Sequence, residues 1–237
     1  MMRRYFRMPA NPAEDMPGES LNQALRQLYV RMLSEIPPED RTTVVTFLEK
    51  LAASTVAEMA VNEGDVAPDF ILPDCDDRPV SLSVVLNRGP LVLTFIRGGW
   101  SVFCLMELRA LQEALSEIRN RGAEVLAISP EINERVDDLR TRENLGFPVL
   151  SDVSNAVARR FGIVHDLPES LQRLYLKWGY SLPEFNGIDR WELPLPATYV
   201  IDTGRRVRAA VVEKDPTRRM EIKDILSVLD LLNKNST

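Results

Sequence analysis

Chemistry that needs several histidines is closed to this chain, because its 237 residues contain one, His165. A zinc site built from two or more histidines is excluded, and one histidine with two distant cysteines makes a weak ligand set. Cysteine is equally scarce. Cys75 and Cys104 are too few for the disulfide framework of a small secreted domain, and the simpler reading is a reducing cytoplasm that keeps a lone thiol available. No apolar run is long enough to span a bilayer, so no membrane role is expected. The basic start Met1–Met8 has no apolar run behind it, which argues against a secretory signal. Positive charge is also in deficit: 29 Lys and Arg stand against 35 Asp and Glu. The net charge of -6 repels a nucleic-acid backbone on balance. The basic runs Met1–Arg7 and Thr217–Arg219 lack the interleaved aromatics of a nucleic-acid surface, so no nucleic-acid partner is expected.

What is present suffices for a packed core. The hydrophobic fraction is 45% and the charged fraction 27%, ordinary values for a globular protein. The length fits one large domain, or one domain plus an extension. Residues 1–19 hold Pro9, Pro12, Pro17 and Gly18 among polar residues and read as a loose arm. From Ser20, a plausible N-cap, Leu21, Leu25, Leu28 and Met32 recur at helical spacing. Pro37-Pro38 ends that helix and starts another, with Glu39 and Asp40 in its first turn, where carboxylates suit the helix dipole. A helical hairpin over 20–61 therefore precedes a main domain over 62–237.

In that domain the punctuation is of strands alternating with helices. Asp69–Leu72 and Val80–Leu82 are short extended pieces around a turn at 73–77. Leu91–Ile96 is a continuous apolar run, as in a strand buried on both faces. Gly98-Gly99 ends it, and Cys104, Leu108, Leu111, Leu115 and Ile118 mark one face of a helix closing near Gly122. Strands over 124–128 and 148–150 and helices over 132–144, 154–161 and 168–176 follow. Gly179–Trp191, rich in Pro, Gly and Asn, reads as a long surface loop. Ala197–Ile201 and Val207–Val212 form a hairpin about Asp202-Thr203-Gly204, and a helix from about Arg219 to Leu232 closes the chain. This order is that of an α/β, thioredoxin-like layer.

The stretch 95–108 carries the chemistry. A buried strand ends, two glycines let the backbone turn, and a helix begins with Ser101 as its N-cap. Cys104 falls in the first turn, where unpaired amides and the positive end of the dipole favour a thiolate. Ser101 stands three residues before the sulfur, and Arg97 and Arg109 are nearby cations. Spacing alone leaves the alternative open that Cys104 is inert core filler and Ser101 only a cap.

Several segments together resemble the peroxiredoxin-like branch of the alkyl hydroperoxide reductase C / thiol-specific antioxidant superfamily. They are Gly64-Asp65-x-Ala67-Pro68-Asp69-Phe70-x-Leu72-Pro73-Asp74, Pro79–Leu82, Arg97-Gly98-Gly99-Trp100 and Glu107–Gln112. Trp191-Glu192-Leu193-Pro194-x-Pro196 through Asp202, and Thr217-Arg218-Arg219, complete the set. The resemblance covers roughly Asn22 to Leu231. It implies a thioredoxin-like fold with Cys104 as the peroxidatic thiol and Ser101 as its hydroxyl partner. It also shows departures. Arg97 stands where such proteins have Pro. The position of the peroxide-polarising Arg falls at or beside Pro196, which leaves Arg97, Arg218 or Arg219 to substitute. Members of the branch often read Trp-Cys-Pro-x-Cys over 100–104, whereas here Ser101 replaces the first cysteine, so no disulfide can form inside the motif.

Supporting roles are assigned beside this. Glu107 either orients an Arg or simply sits in a helical turn, Trp100 packs at a pocket rim, and Pro196 occupies a place where the resemblance implies a cis-proline facing the site. Cys75 lies in a turn and is more a solvated cysteine than a resolving thiol. His165 is structural. The expected activity is reduction of hydrogen peroxide or a small organic hydroperoxide through a Cys104 sulfenic acid. No metal or organic cofactor is needed, and an external thiol (thioredoxin, glutaredoxin or glutathione) recycles the enzyme, a homodimer by default. Two alternatives are a redox-inactive thioredoxin-fold binding protein and a single-cysteine thiol–disulfide oxidoreductase.

Overall fold

Ser20 caps the first helix as its sequence suggests: its hydroxyl accepts from the Gln23 N–H at 3.3 Å, and Gln23 Oε1 accepts from the Ser20 N–H at 2.9 Å. The structure, a computed structural model, describes residues 20–234, so the arm read over 1–19 lies outside the described residues. The N-terminal part, expected as a helical hairpin, holds α1 (Leu21–Glu35) and α2 (Pro38–Ala52), of which α1 packs on the later helix Val102–Glu113 and α2 on the later helix Glu169–Lys177 rather than chiefly on one another.

The main domain then runs β1 (Ile71–Pro73), β2 (Pro79–Ser81), α3 (Leu82–Leu86), β3 (Leu91–Phe95), α4 (Val102–Glu113), α5 (Leu115–Asn120), β4 (Glu124–Ser129), α6 (Asn133–Arg142) and β5 (Val149–Ser151). After a 3-10 turn come α7 (Ala156–Arg160), β6 (Val164–Asp166), α8 (Glu169–Lys177), α9 (Leu182–Asn186), β7 (Glu192–Pro194), β8 (Ala197–Ile201), β9 (Val207–Val212) and α10 (Ile222–Lys234).

Five strands form the central sheet in the order β5-β4-β3-β8-β9. β3, β4 and β5 are parallel, and β8 and β9 run antiparallel to their neighbours. β3 lies in the middle, buried at every residue, as its almost wholly apolar run requires. Its side chains alternate between two cores. Leu91, Leu93 and Phe95 meet Leu82, Leu86 and Phe161 on one face; Val92 meets Leu108, Leu111, Ile225 and Leu229 on the other. Each such buried side chain contributes roughly 1.5–3 kcal/mol, so this strand is firmly anchored.

Three readings of the sequence are corrected. The single helix expected from Cys104 to Gly122 is two, α4 and α5, meeting at Ala114. The first extended piece begins two residues later than expected, at Ile71. Gly179–Trp191 is not a surface loop. It contains α9, and Leu182 and Phe185 are buried among Tyr175, Trp178 and Trp191. Its Pro, Gly and Asn punctuate a compact turn of helix, and its apolar residues fall where α8 and β7 need cover. Short elements α3, β6 and β7 also carry too few residues to show a period.

α1 and α2 each pack on the main domain. Leu25 of α1 is buried against Phe103 and Met106 at the start of α4. The Glu221 carboxylate accepts from the first free amides of α1, Leu21 N–H at 3.1 Å and Asn22 N–H at 3.0 Å. Asp40 of α2, expected to suit a helix dipole, does more: it is 4% exposed and accepts from Lys177 Nζ at 2.7 Å and Trp178 Nε1 at 3.1 Å of α8 and its cap. Both helices thereby wall the end of β3 where the sequence places its chemistry.

Candidate active site

β3 ends at Phe95, and Arg97 to Trp100 turn the chain into α4. Gly98 makes this turn possible: it has φ +140, and a Cβ there would lie 2.5 Å from Trp100 Nε1 and 3.0 Å from Glu131 Cδ. Glu131 holds the turn from behind. It is 2% exposed, and its Oε2 accepts from the Gly99 N–H at 2.6 Å and from Ser129 Oγ at 3.2 Å. Burial pushes its carboxyl above the usual range, against the pull of those hydrogen bonds.

Cys104 occupies the first turn of α4, but its sulfur does not meet the helix amides as expected. The side chain is fully buried, and Sγ accepts from the N–H of Arg97, at 3.5 Å, at the end of the strand. α4 packs against the sheet through the face that carries Cys104, so the sulfur looks back at the strand end. Ser101 sits at the N-cap position without making a capping bond. Its hydroxyl oxygen accepts from Arg97 Nη2 at 3.0 Å instead. The Arg97 guanidinium lies over the rings of Trp100 and Phe103, 5.8 and 5.9 Å from their centroids.

Of the three arginines that the sequence left unranked, Arg219 is the one whose side chain is brought to the Cys104 sulfur. It precedes α10, its side chain is 1% exposed, and its Nε donates to Glu107 Oε2 at 2.5 Å. Glu107 Oε1 accepts from Thr94 of β3 and Thr198 of β8, each at 2.8 Å. All these groups are buried, so the carboxylate is satisfied at both oxygens. Arg219 Nη1 donates to the carbonyls of Arg218 at 2.6 Å and Pro216 at 3.3 Å, while Nη2 has no oxygen or nitrogen partner. Burial alone would lower its pKa, but the Glu107 carboxylate and the Cys104 sulfur more than offset this and raise it. Asn22 of α1 fixes the backbone here, accepting from the Arg219 N–H at 2.7 Å and donating to its carbonyl at 3.0 Å. Arg218 is bound elsewhere, to Glu213 at 3.4 Å.

The remaining expected residues divide. Trp100 stacks edge-on with Tyr175, centroids 5.5 Å apart, and lines an apolar recess with Ser101, Arg97 and Phe103. Pro196 lines a smaller adjoining hollow with Arg97 and His165, and its peptide bond is trans, because no peptide among the described residues is cis. The expectation of a cis-proline is therefore not met. His165 is 8% exposed, and its pKa is lowered to about 4, mainly by burial. Cys75 follows β1, which packs at the β5 edge of the sheet, and lines a recess with Glu124 and Pro148. Cys104 is not among the residues lining that recess, and both cysteines are free. Burial raises its thiol pKa, the Arg140 charge opposing. Among the described residues no cluster of three His, Cys, Asp or Glu is placed to hold a metal ion, and no helix is long and apolar enough to cross a membrane.

Sequence reasoning overlooked Thr94, Thr198 and Glu131. The two threonines had a visible signal: each interrupts an otherwise apolar strand at a position facing α4. Glu131 had none, since only the fold buries it.

The chain matches the model of the AhpC/TSA family over residues 63–210. It is 32% identical over 100 residues to peroxiredoxin Bcp of Escherichia coli (strain K12), covering 42% of this chain and 64% of that protein. It is 33% identical over 107 residues to the chloroplastic peroxiredoxin Q of Oryza sativa subsp. japonica, covering 45% and 49%. The chain thus spans less than two thirds of these curated relatives. In architecture it is similar to the crystal structure of peroxidoxin BcpB from Mycobacterium tuberculosis, with a TM-score of 0.57, 24% identity, and cover of 73% of this chain and 98% of the other. The fold is thioredoxin-like, of the peroxiredoxin type.

Proposed function

This chain belongs to the AhpC/TSA family, and from that premise we propose that it is a thiol peroxidase acting through the sulfur of Cys104. The observation that carries the reading is the buried Arg219 guanidinium, oriented by Glu107 and acting on that sulfur. A fixed cation in a site closed to water stabilises a thiolate, and it stabilises equally the negative charge that develops on a leaving oxygen.

The Cys104 thiolate attacks the terminal oxygen of a hydroperoxide. The S–O bond forms as the O–O bond breaks; sulfur is oxidised to the sulfenic acid, and the leaving alkoxide or hydroxide takes a proton and departs as alcohol or water. Ser101, whose oxygen accepts from Arg97, keeps its own proton to donate toward the peroxide. The Arg97 N–H holds the sulfur in line. An external thiol then displaces water from the sulfenic acid to give a mixed disulfide, and a second thiol releases Cys104 reduced. Thioredoxin, glutaredoxin or glutathione fits this role, because Cys75 lies at another recess. The cycle draws on no metal or organic cofactor. A reducing cytoplasm suits a free thiol of this kind, and the homodimer rests on the family resemblance.

A second reading, a redox-inactive binding protein, is favoured by one observation: Cys104 is 0% exposed. Treatment of the reduced protein with stoichiometric hydrogen peroxide, followed by a sulfenic-acid trap and mass spectrometry, separates the two. Label on Cys104 that is absent from Cys104→Ser establishes the peroxidase. An ordered protein without label establishes the binding protein. A peroxide-inert protein that forms a mixed disulfide with glutathione is a thiol–disulfide oxidoreductase.

A further inference from the structure

Arg219, the cation at the Cys104 sulfur, and α1 both lie outside the stretch matched by the family at 63–210. Arg219 also stands outside any helix or strand, in the segment between β9 and α10. Both of its main-chain groups bond to one side chain of α1. Asn22 Oδ1 accepts from the Arg219 N–H at 2.7 Å, and Asn22 Nδ2 donates to the Arg219 carbonyl at 3.0 Å. A primary amide carries acceptor and donors on one small planar group, so it grips both sides of a residue as a neighbouring strand would.

Asn22 is itself held. Its own N–H and that of Leu21 donate to the Glu221 carboxylate at 3.0 and 3.1 Å. Leu25, one turn further along α1, is buried against Phe103 and Met106, which flank Cys104 in α4. α1 is thus seated on the helix that bears the thiol while it grips the residue that bears the cation. The guanidinium has little else to fix it. Its bonds to the Arg218 and Pro216 carbonyls travel with its own segment, and Glu107 holds it through Nε alone, a single contact about which the group can swing. The hold of a cation on a thiolate weakens as the two separate, and in a closed site a displacement of about 1 Å is felt in the rate.

We propose that Asn22 is a positioning residue for the reaction at Cys104, through which α1 fixes the Arg219 guanidinium against the sulfur. The proposal rests on the thiol peroxidase reading of Cys104.

The test follows two properties of the full chain carrying Cys75→Ser, so that a single thiol is read: the rate of Cys104 oxidation by hydrogen peroxide, and the pH midpoint of its ultraviolet thiolate absorbance. Asn22→Ala should be oxidised about tenfold more slowly, with the midpoint raised by about one pH unit, the same free energy expressed in two ways. Arg219→Met supplies the decisive background. With the guanidinium gone, Asn22→Ala has nothing to position and should change neither reading further. If Arg219→Met does not fold, the double variant Glu107→Gln/Arg219→Met serves in its place. Equal slowing in both backgrounds gives Asn22 a merely structural role and overturns the proposal, as does an Asn22→Ala protein with native rate and midpoint. If the protein with Asn22 intact is not oxidised at all, the peroxidase reading fails on its own account, and the midpoint still judges Asn22. A rise on Asn22→Ala only where Arg219 is present upholds the positioning of the cation, and an unmoved midpoint overturns it.

Discussion

Arg219 Nε and Glu107 Oε2, 112 residues apart in the chain, meet at 2.5 Å with both side chains almost wholly buried. The pair joins the start of α10 to the third turn-forming residue after Cys104, and through Thr94 and Thr198 to two strands. A buried cation is thereby held beside the sulfur of Cys104.

Breaking this pair is expected to cost much more than replacing it. Glu107→Gln or Arg219→Met alone leaves a buried group without its counter-charge, at roughly 3–5 kcal/mol. The double variant costs clearly less than the sum. Urea unfolding of all four proteins measures the coupling, and additive losses would falsify the pairing. Arg219→Met should also slow Cys104 oxidation by about 100-fold or more, as loss of one oxyanion donor does elsewhere.

Restoring the missing thiol tests the geometry of the turn. Positions 101 and 104 lie one helical turn apart at the start of α4, within the span that a disulfide can bridge. Ser101→Cys should form an intramolecular disulfide under mild oxidation, seen as the loss of two free thiols and two hydrogens of mass. Two thiols that persist under oxidant contradict the placement of Sγ relative to residue 101.

His165 makes stability depend on pH. Its pKa is lowered in the folded chain to about 4 from an ordinary 6.5, mainly by burial and also by the Arg97 charge. The unfolded chain therefore binds the proton first as pH falls. Stability is intact above pH 6.5 and drops toward pH 4, by at most about 3 kcal/mol. Chemical denaturation at intervals across that window should show a steeper fall for the native protein than for His165→Gln. Parallel curves assign the slope to other groups.

The clasp between α1 and the loop before α10 is expected to be local. Glu221→Ala removes the acceptor of two α1 amides and should cost about 1 kcal/mol. Hydrogen exchange over residues 21–30 should accelerate while β3 and β4 stay protected. Unchanged exchange in α1 means that Leu25, packed on Phe103, holds the helix without the carboxylate.

Much of the architecture is legible along the chain because it is written in short-range patterns. The largely apolar run Leu91–Ile96 marks a central strand, Ser20 and Gln23 mark a helix start, and Asp202-Thr203-Gly204 marks a hairpin. Segments of three to five residues, such as β6, β7 and α9, escape because they are too brief to complete a period. The stretch Gly179–Trp191 misleads for another reason: its composition suits a loop, and only the apolar face of α8 beside it turns Leu182 and Phe185 inward.

The candidate site divides along the same line. Cys104, Ser101 and Arg97 share one strand–turn–helix, so their nearness follows from bond lengths and could be read directly. What the sequence by itself determined is this local unit and the family it signals. Only the tertiary structure decided which arginine serves the sulfur, that Ser101 faces Arg97 rather than the helix amides, and that α1 and α2 wall the recess. Each of these is set by burial and long-range closure, and the free energy of a buried charge depends on partners brought from over a hundred residues away, which no spacing along the chain records.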